Sequence, residues 1–383
     1  MRREASRLCS LAALALAISA APAQAQLTAS MGNGWSLTFS GNVNAHLVYV
    51  KSDDNGDLGA NPLGLAPAGA EGFEIRTGYS PAVASFAIKG NDDGRPLGAT
   101  VTFAPQIQCG GGTVNCSAVQ IDTRQLFFTV GNVHGGTLLA GRDMALFGRQ
   151  NFLNDMTLFG TGFVDLGGSG TTFGRAGTGY NYPGYSPQFT WMNAGTNGSQ
   201  FSVGVFQPDA LGGGQNKLPR LEAEYNKTGG KTNWWLSGVW QTTDFGGTSV
   251  NSLGAAGGAK WGAGKENFTV AGFFGSGIGT TGNFVGAVGG GGDARTSWGG
   301  YGQWLHSMNQ RTTLGLSAGQ NVLNGDDTEP DKIITNRSFA GGLYNKYGRH
   351  LRSDLELTYT TSEDDGSGNN SQWNLSGGIM LIW

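Results

Sequence analysis

Apolar and polar residues alternate along most of this chain, most cleanly at the carboxyl terminus. From Gln372 onward, Trp373, Leu375, Gly377, Ile379, Leu381 and Trp383 share one face, while Asn374, Ser376, Gly378 and Met380 form most of the other. A period of two predicts a β-strand. An oily face with aromatic tips and a polar back is what a lipid-facing barrel wall requires. The same alternation sets Leu37, Phe39, Val43, Ala45, Leu47 and Tyr49 against Ser36, Thr38, Ser40, Asn42, Asn44 and His46. It sets Leu351, Leu355, Leu357 and Tyr359 against Arg352, Asp354, Glu356 and Thr358, and Leu221, Ala223 and Tyr225 against Arg220, Glu222 and Glu224.

The whole pattern predicts sixteen strands, an even number as a closed antiparallel barrel requires. They span Ser36–Lys51, Gly72–Lys89, Ala99–Gln108, Asp122–Asn132, Thr137–Phe147, Gly174–Asn193, Gln200–Gln207 and Leu218–Lys227. The others are Thr232–Asp244, Ser252–Gly262, Asn267–Ile278, Ser297–Met308, Thr312–Leu323, Arg337–Tyr347, Leu351–Thr361 and Gln372–Trp383. Tight connectors such as Val133–Gly136 and Gly264–Asn267 alternate with long polar ones such as Ser52–Ala70 and Thr280–Thr296. One trimmed end and one elaborated end mark an up-and-down barrel. A soluble sandwich also alternates, but Tyr49, Tyr225, Trp240, Trp298, Trp373 and Trp383 at strand ends fit two interfacial girdles. Asp122–Asn132 and Thr232–Asp244 carry apolar residues on both faces, marking a subunit interface or the base of an inward loop.

Residues 1–25 stand apart. Arg2, Arg3 and Arg7, the apolar stretch Leu8–Ile18 and Ala23-Gln24-Ala25 read as a secretory signal peptide cleaved after Ala25. Removing Arg2, Arg3, Arg7 and Glu4 takes the totals from 24 basic and 27 acidic to 21 and 26, a mature net charge of −5. That balance argues against nucleic acid. No later segment has the apolar length of a membrane helix. With 68 glycines and 11 prolines, helices are weakened while close-packed strands are tolerated. Cys109 and Cys116 remain after cleavage, and a disulfide clip in an exported chain is the leading reading, with metal binding as the alternative.

The opening SLTFSGNVNAHLVYV, the central GGTLLAGRDMALFGRQNFLNDMTLFG, the sixteen-strand rhythm and the aromatic last strand resemble the Gram-negative general porins. The likeness covers the mature chain, 26–383, departing where the family's terminal phenylalanine is Trp383. It implies an all-β, 16-stranded antiparallel transmembrane β-barrel with short periplasmic turns, long extracellular loops and a third loop folded into the pore. It also implies a homotrimer in the bacterial outer membrane, amid lipid and lipopolysaccharide, passing small hydrophilic solutes without a cofactor.

A barrel of that size is wide enough for an aqueous channel. Asn151–Phe173 holds five glycines, six apolar anchors and the acids Asp155 and Asp165. By resemblance it is the constriction loop (151–173); an exposed lid is the alternative. Opposing bases are expected from Arg76, Arg124, Arg142, Arg149 and Arg175, with Glu74 beside Arg76 on one inward face. Arg142 occupies the family's Gly-Arg position and leads this set, so its neutralisation is expected to shift ion selectivity toward cations. Bases facing acids across a gap make a transverse field favouring small polar solutes; local pairing of each base with an acid is the competing reading. The loop acids Asp53, Asp54, Asp57, Asp326, Asp327, Glu329, Glu363, Asp364 and Asp365 are solvated or hold weakly bound Ca2+. No HExxH or Walker pattern supports an enzyme such as an outer-membrane hydrolase, and no fixed repeat period supports a structural solenoid. A substrate-selective channel, for sugars or organic acids, remains the alternative within transport, with Trp191, Trp234, Trp235, Trp261 and Trp304 as candidate lining.

Overall fold

The computed structural model describes residues 26–53, 63–105, 121–166, 171–193, 195–245, 249–290, 292–326, 333–365 and 368–383. The signal peptide, Cys109, Cys116, Asp54, Asp57, Asp327 and Glu329 lie outside the described residues.

Eighteen strands build one antiparallel sheet: β1 Leu27–Gly32, β2 Trp35–Ser52, β3 Glu71–Arg76, β4 Val83–Asp92, β5 Arg95–Pro105, β6 Ile121–Val133, β7 Gly136–Met144, β8 Tyr185–Asn193 and β9 Ser199–Phe206, followed by nine more. Those are β10 Arg220–Gly229, β11 Thr232–Asp244, β12 Ser249–Ala263, β13 Glu266–Ser276, β14 Thr296–Ser307, β15 Thr312–Leu323, β16 Ile334–Tyr347, β17 Leu351–Asp364 and β18 Gly368–Ile382. The sheet closes where β18 pairs with β2, from Gln372↔Ser52 to Ile382↔Asn42. The wall has sixteen positions, because β3 and β4 share one: β3 pairs with the upper half of β2 and β4 with the lower half. The short β1 pairs with the start of β2, from Leu27↔Phe39, and so continues the line of β18.

The wall is inverted relative to a soluble protein. On β18, Trp373, Leu375, Ile379 and Leu381 are exposed on the outside, while Gln372, Asn374 and Ser376 are each 1% exposed on the inside. On β17, Leu355 and Leu357 face outward against buried Glu356 and Thr358. Aromatic pairs belt the outer surface: Tyr359 with Trp373, Tyr49 with Phe73, and Trp261 with Phe268. Trp383 packs against Phe39, and its backbone amide and carbonyl bond to Gly41.

Three expectations need correction. Gly72–Lys89 is two strands, because the chain leaves the ladder at Thr77–Ala82 and dips inward. There the amides of Tyr79 and Ser80 donate to the carbonyls of Gly160 and Leu158, and Pro81 has no N–H to give a ladder. Residues 174–184 are inner chain, not strand, and the wall resumes only at Tyr185. The third is β1, which precedes the first expected strand: Leu27, Ala29 and Met31 alternate with Thr28, Ser30 and Gly32, but six residues are too short a run to mark a strand alone.

Leu357 and Leu375 sit near mid-strand on the outer face. Arginine at either position is expected to destabilise the vesicle-embedded barrel by about 2–4 kcal/mol, read by denaturant unfolding. Equal unfolding free energies for Leu357→Arg and Leu357→Ala would contradict a lipid-facing wall.

Candidate constriction site

The segment between β7 and β8 runs inside the barrel. It forms a short helix, α1 (Arg149–Leu153), then a 3-10 turn over Met156–Phe159. Irregular backbone enclosed by protein must find hydrogen-bond partners, and the inward wall provides them. On β10, Glu222 accepts from the amides of Leu146 (2.6 Å) and Phe147 (2.8 Å), and Ser237 of β11 accepts from Gly148. On β14, Gln303 accepts from the Met156 amide at 2.6 Å, and Tyr301 donates to the Asn151 carbonyl. On β17, Glu356 accepts from the amides of Gly162 (2.6 Å) and Thr161 (3.2 Å) and from Tyr344. Gln372 of β18 donates to the Val164 carbonyl.

The apolar anchors also pack. Phe152 and Leu158 join Tyr79, Tyr180, Trp235 and Tyr301 in one buried cluster inside the barrel. Tyr180 donates to Asp155 and accepts from the Tyr79 hydroxyl, so a hydrogen-bonded path reaches from the β3–β4 break to the inner segment. Trp235 donates to Asn151 at 2.7 Å. The two-faced pattern of β11 thus marks the base of an inward loop. Trp235 is committed to that packing, and Trp234 is exposed on the outside.

The charged residues form local pairs. Arg76, 1% exposed, donates to Asp165 Oδ1 at 2.9 Å, to the Asp165 carbonyl at 2.8 Å and to Glu74 at 3.2 Å. It clamps the far end of the inner segment to the wall. Arg149 lies on α1 and grips both carboxylate oxygens of Glu224 of β10 through three bonds, the shortest 2.6 Å. Arg175 lies in inner chain, donates to Ser338, and sits 3.9 Å from Asp155. Asp155, 3% exposed, also caps the 3-10 turn through the Thr157 amide. Arg124 is the extra residue in an irregularity of β6, paired with Asp122 at 3.2 Å and bonded to Tyr182.

Arg142 does not join them. In register it stands between Leu126 of β6 and Pro187 of β8. Leu126 is 55% exposed on the outer face, whereas the next residue, Asp143, turns inward to Gln125. By register, then, Gly141 and Asp143 take the inward face and Arg142 shares the face of Leu126 and Pro187, because a one-residue offset reverses the face. The expected transverse field is likewise replaced by short pairs that neutralise each other. A pair the sequence reading missed, Arg220 with Glu222 (2.8 Å) and Asp209 (2.6 Å), belongs to this same network. Its signal was present in the polar face of β10.

No protein-family model matches the sequence, and no curated protein matches it. Among solved structures, the chain is similar to the outer-membrane channel DcaP of Acinetobacter baumannii, with a TM-score of 0.70 and 11% identity over 93% of this chain and 99% of that one. It is similar to the anion-selective porin from Comamonas acidovorans, at 0.66 and 12% over 91% of this chain and 100% of that one. OmpF of Salmonella typhi, in complex with daunomycin, gives 0.62 and 11% over 93% and 100%. The fold is that of the outer-membrane porins: a closed, sixteen-stranded antiparallel barrel.

Two outcomes follow. Glu356→Ala strips the acceptor from two buried amides, each worth about 1–3 kcal/mol, so the inner segment should loosen and single-channel current should rise and become noisier. An unchanged conductance would mean that Glu356 does not hold the constriction. Arg142→Gln should leave the reversal potential in a salt gradient unmoved, and a shift toward cations would return that residue to the lumen.

Proposed function

We propose that the chain is an outer-membrane porin: a water-filled channel for passive diffusion of small hydrophilic solutes and ions. The observation carrying this reading is the inverted wall, apolar outside and polar inside, narrowed by a chain segment bonded to the inward face. Diffusion down a gradient needs no cofactor. The histidine contacts fit a structural role: His46 bonds Asp354, His306 bonds Glu266, and His350 bonds the Ile382 carbonyl.

Export through a cleaved signal peptide and assembly as a homotrimer complete the proposal. The outward Arg142 supports the trimer. It is the seventh of the nine residues of β7, toward the end that leads into the inner segment. An arginine facing lipid costs from about 0–1 kcal/mol near an interface to about 2–4 kcal/mol at the midplane, a cost that a neighbouring subunit's cover removes.

The aromatic path from Tyr79 through Tyr180 to the segment bonded by Tyr301 favours a narrow, substrate-selective channel over a wide general one. Purified mature protein in a planar bilayer should give discrete current steps in potassium chloride. No steps at any protein concentration would remove the channel reading. Block of those steps by a sugar or an organic acid would separate the selective form from plain ohmic flow.

A further inference from the structure

Inside the barrel, most bases are neutralised. Arg76, Arg149, Arg175 and Arg220 each have a carboxylate within 2.6–3.9 Å. The exceptions gather at the end of the barrel that carries the tight turns, which is the periplasmic end in the reading above. Lys346 and Arg352 stand directly opposite one another in the β16–β17 ladder. Both point inward: Arg352 is matched across the ladder with Met380, 4% exposed inside the barrel, and Lys346 shares the face of Tyr344. Lys89 shares the inward face of Ser85, which bonds Thr102, and Lys260 is matched with buried Thr269. Among the described residues, none of these four has an acid within ion-pair distance.

Like charges directly opposite in a ladder repel and destabilise it. The acids nearest the pair do not relieve this. Asp354, the next inward residue of β17, is 3.1 Å from His46. Glu356, one step further, is turned to Thr161, Gly162 and Tyr344. Arg352 instead lays its guanidinium over Phe159, with its centre 4.5 Å from that ring. This holds the charge at the rim of the constriction, where the inner segment meets the wall. A positive field in a cleft with low-dielectric walls concentrates anions there.

We propose that the short-turn mouth of the lumen is an anion filter, with Lys346 and Arg352 as its core and Lys89 and Lys260 completing it. Its solutes are small anions such as chloride, inorganic phosphate and short carboxylates. The inference deepens the porin reading and rests on it.

The test is the reversal potential of mature, full-length protein in a planar bilayer under a potassium chloride gradient. Wild-type channels should prefer chloride over potassium, and Lys346→Gln/Arg352→Gln should reduce that preference about threefold or more. Lys346→Gln/Lys260→Gln keeps the Phe159 contact and should move the potential the same way, which separates charge from packing. Millimolar inorganic phosphate should reduce chloride current through wild type more than through either variant. The preference should also fade toward 1 M salt, where the screening length falls to about 3 Å. Identical potentials for wild type and both variants, or a wild-type preference for cations, would overturn the filter while leaving a channel. Absence of any current in wild type would remove the channel reading and the filter together.

Discussion

The structure depends on one requirement: a non-strand segment threaded through a barrel must have its backbone groups satisfied by the wall. An amide enclosed in protein and left without an acceptor is costly. Here the acceptors are carboxylates and amides placed on inward faces. Glu222 receives two consecutive amides at one end of the segment, and Glu356 receives two at the other. Gln303 serves the middle. This explains why glutamates sit in strands whose other face is leucine. The polar side of the wall is a set of sockets for one particular chain path.

The same requirement shapes the electrostatics. A loop held by carboxylates brings negative charge into the lumen, and the arginines nearby are consumed in balancing it. Arg149 answers Glu224, Arg220 answers Glu222, and Arg76 answers Asp165. Charge that is paired at such distances contributes little field beyond its own neighbourhood. The field inside the barrel is therefore set by charged residues outside these pairs.

How much of this was legible in the sequence follows from which constraints act locally. Lipid demands an oily side chain at every second position, so the outer face of β17 and β18 is written directly into alternation. The break after Arg76 is not local. Tyr79 and Ser80 leave the ladder because Gly160 and Leu158, some eighty residues away, offer carbonyls to their amides. Only Pro81 hints at it. Arg142 shows a second limit. Alternation fixes a face only when the register is known, and its neighbours Ala140 and Gly141 carry too little side chain to reveal which way the strand is turned. Asp155 shows a third: an acid in a loop reads as exposed, yet it caps a turn and accepts from Tyr180, leaving it buried.

The glycines complete the argument at His46. His46 lies on β2, and its ring, 0% exposed, sits between Gly378 of β18 and Gly78 just after β3, bonded to Asp354 of β17. A Cβ on Gly378 would fall 2.0 Å from that ring, and one on Gly78 would fall 2.5 Å from it. The space for the imidazole exists only because both neighbours lack side chains. Gly78 also donates its amide to Asn44, which anchors the start of the inward dip. Closing the barrel at β18–β2 and opening the wall at Thr77 are thus linked through one buried histidine. The seam and the inward dip that meets the constriction share the contacts around this one ring.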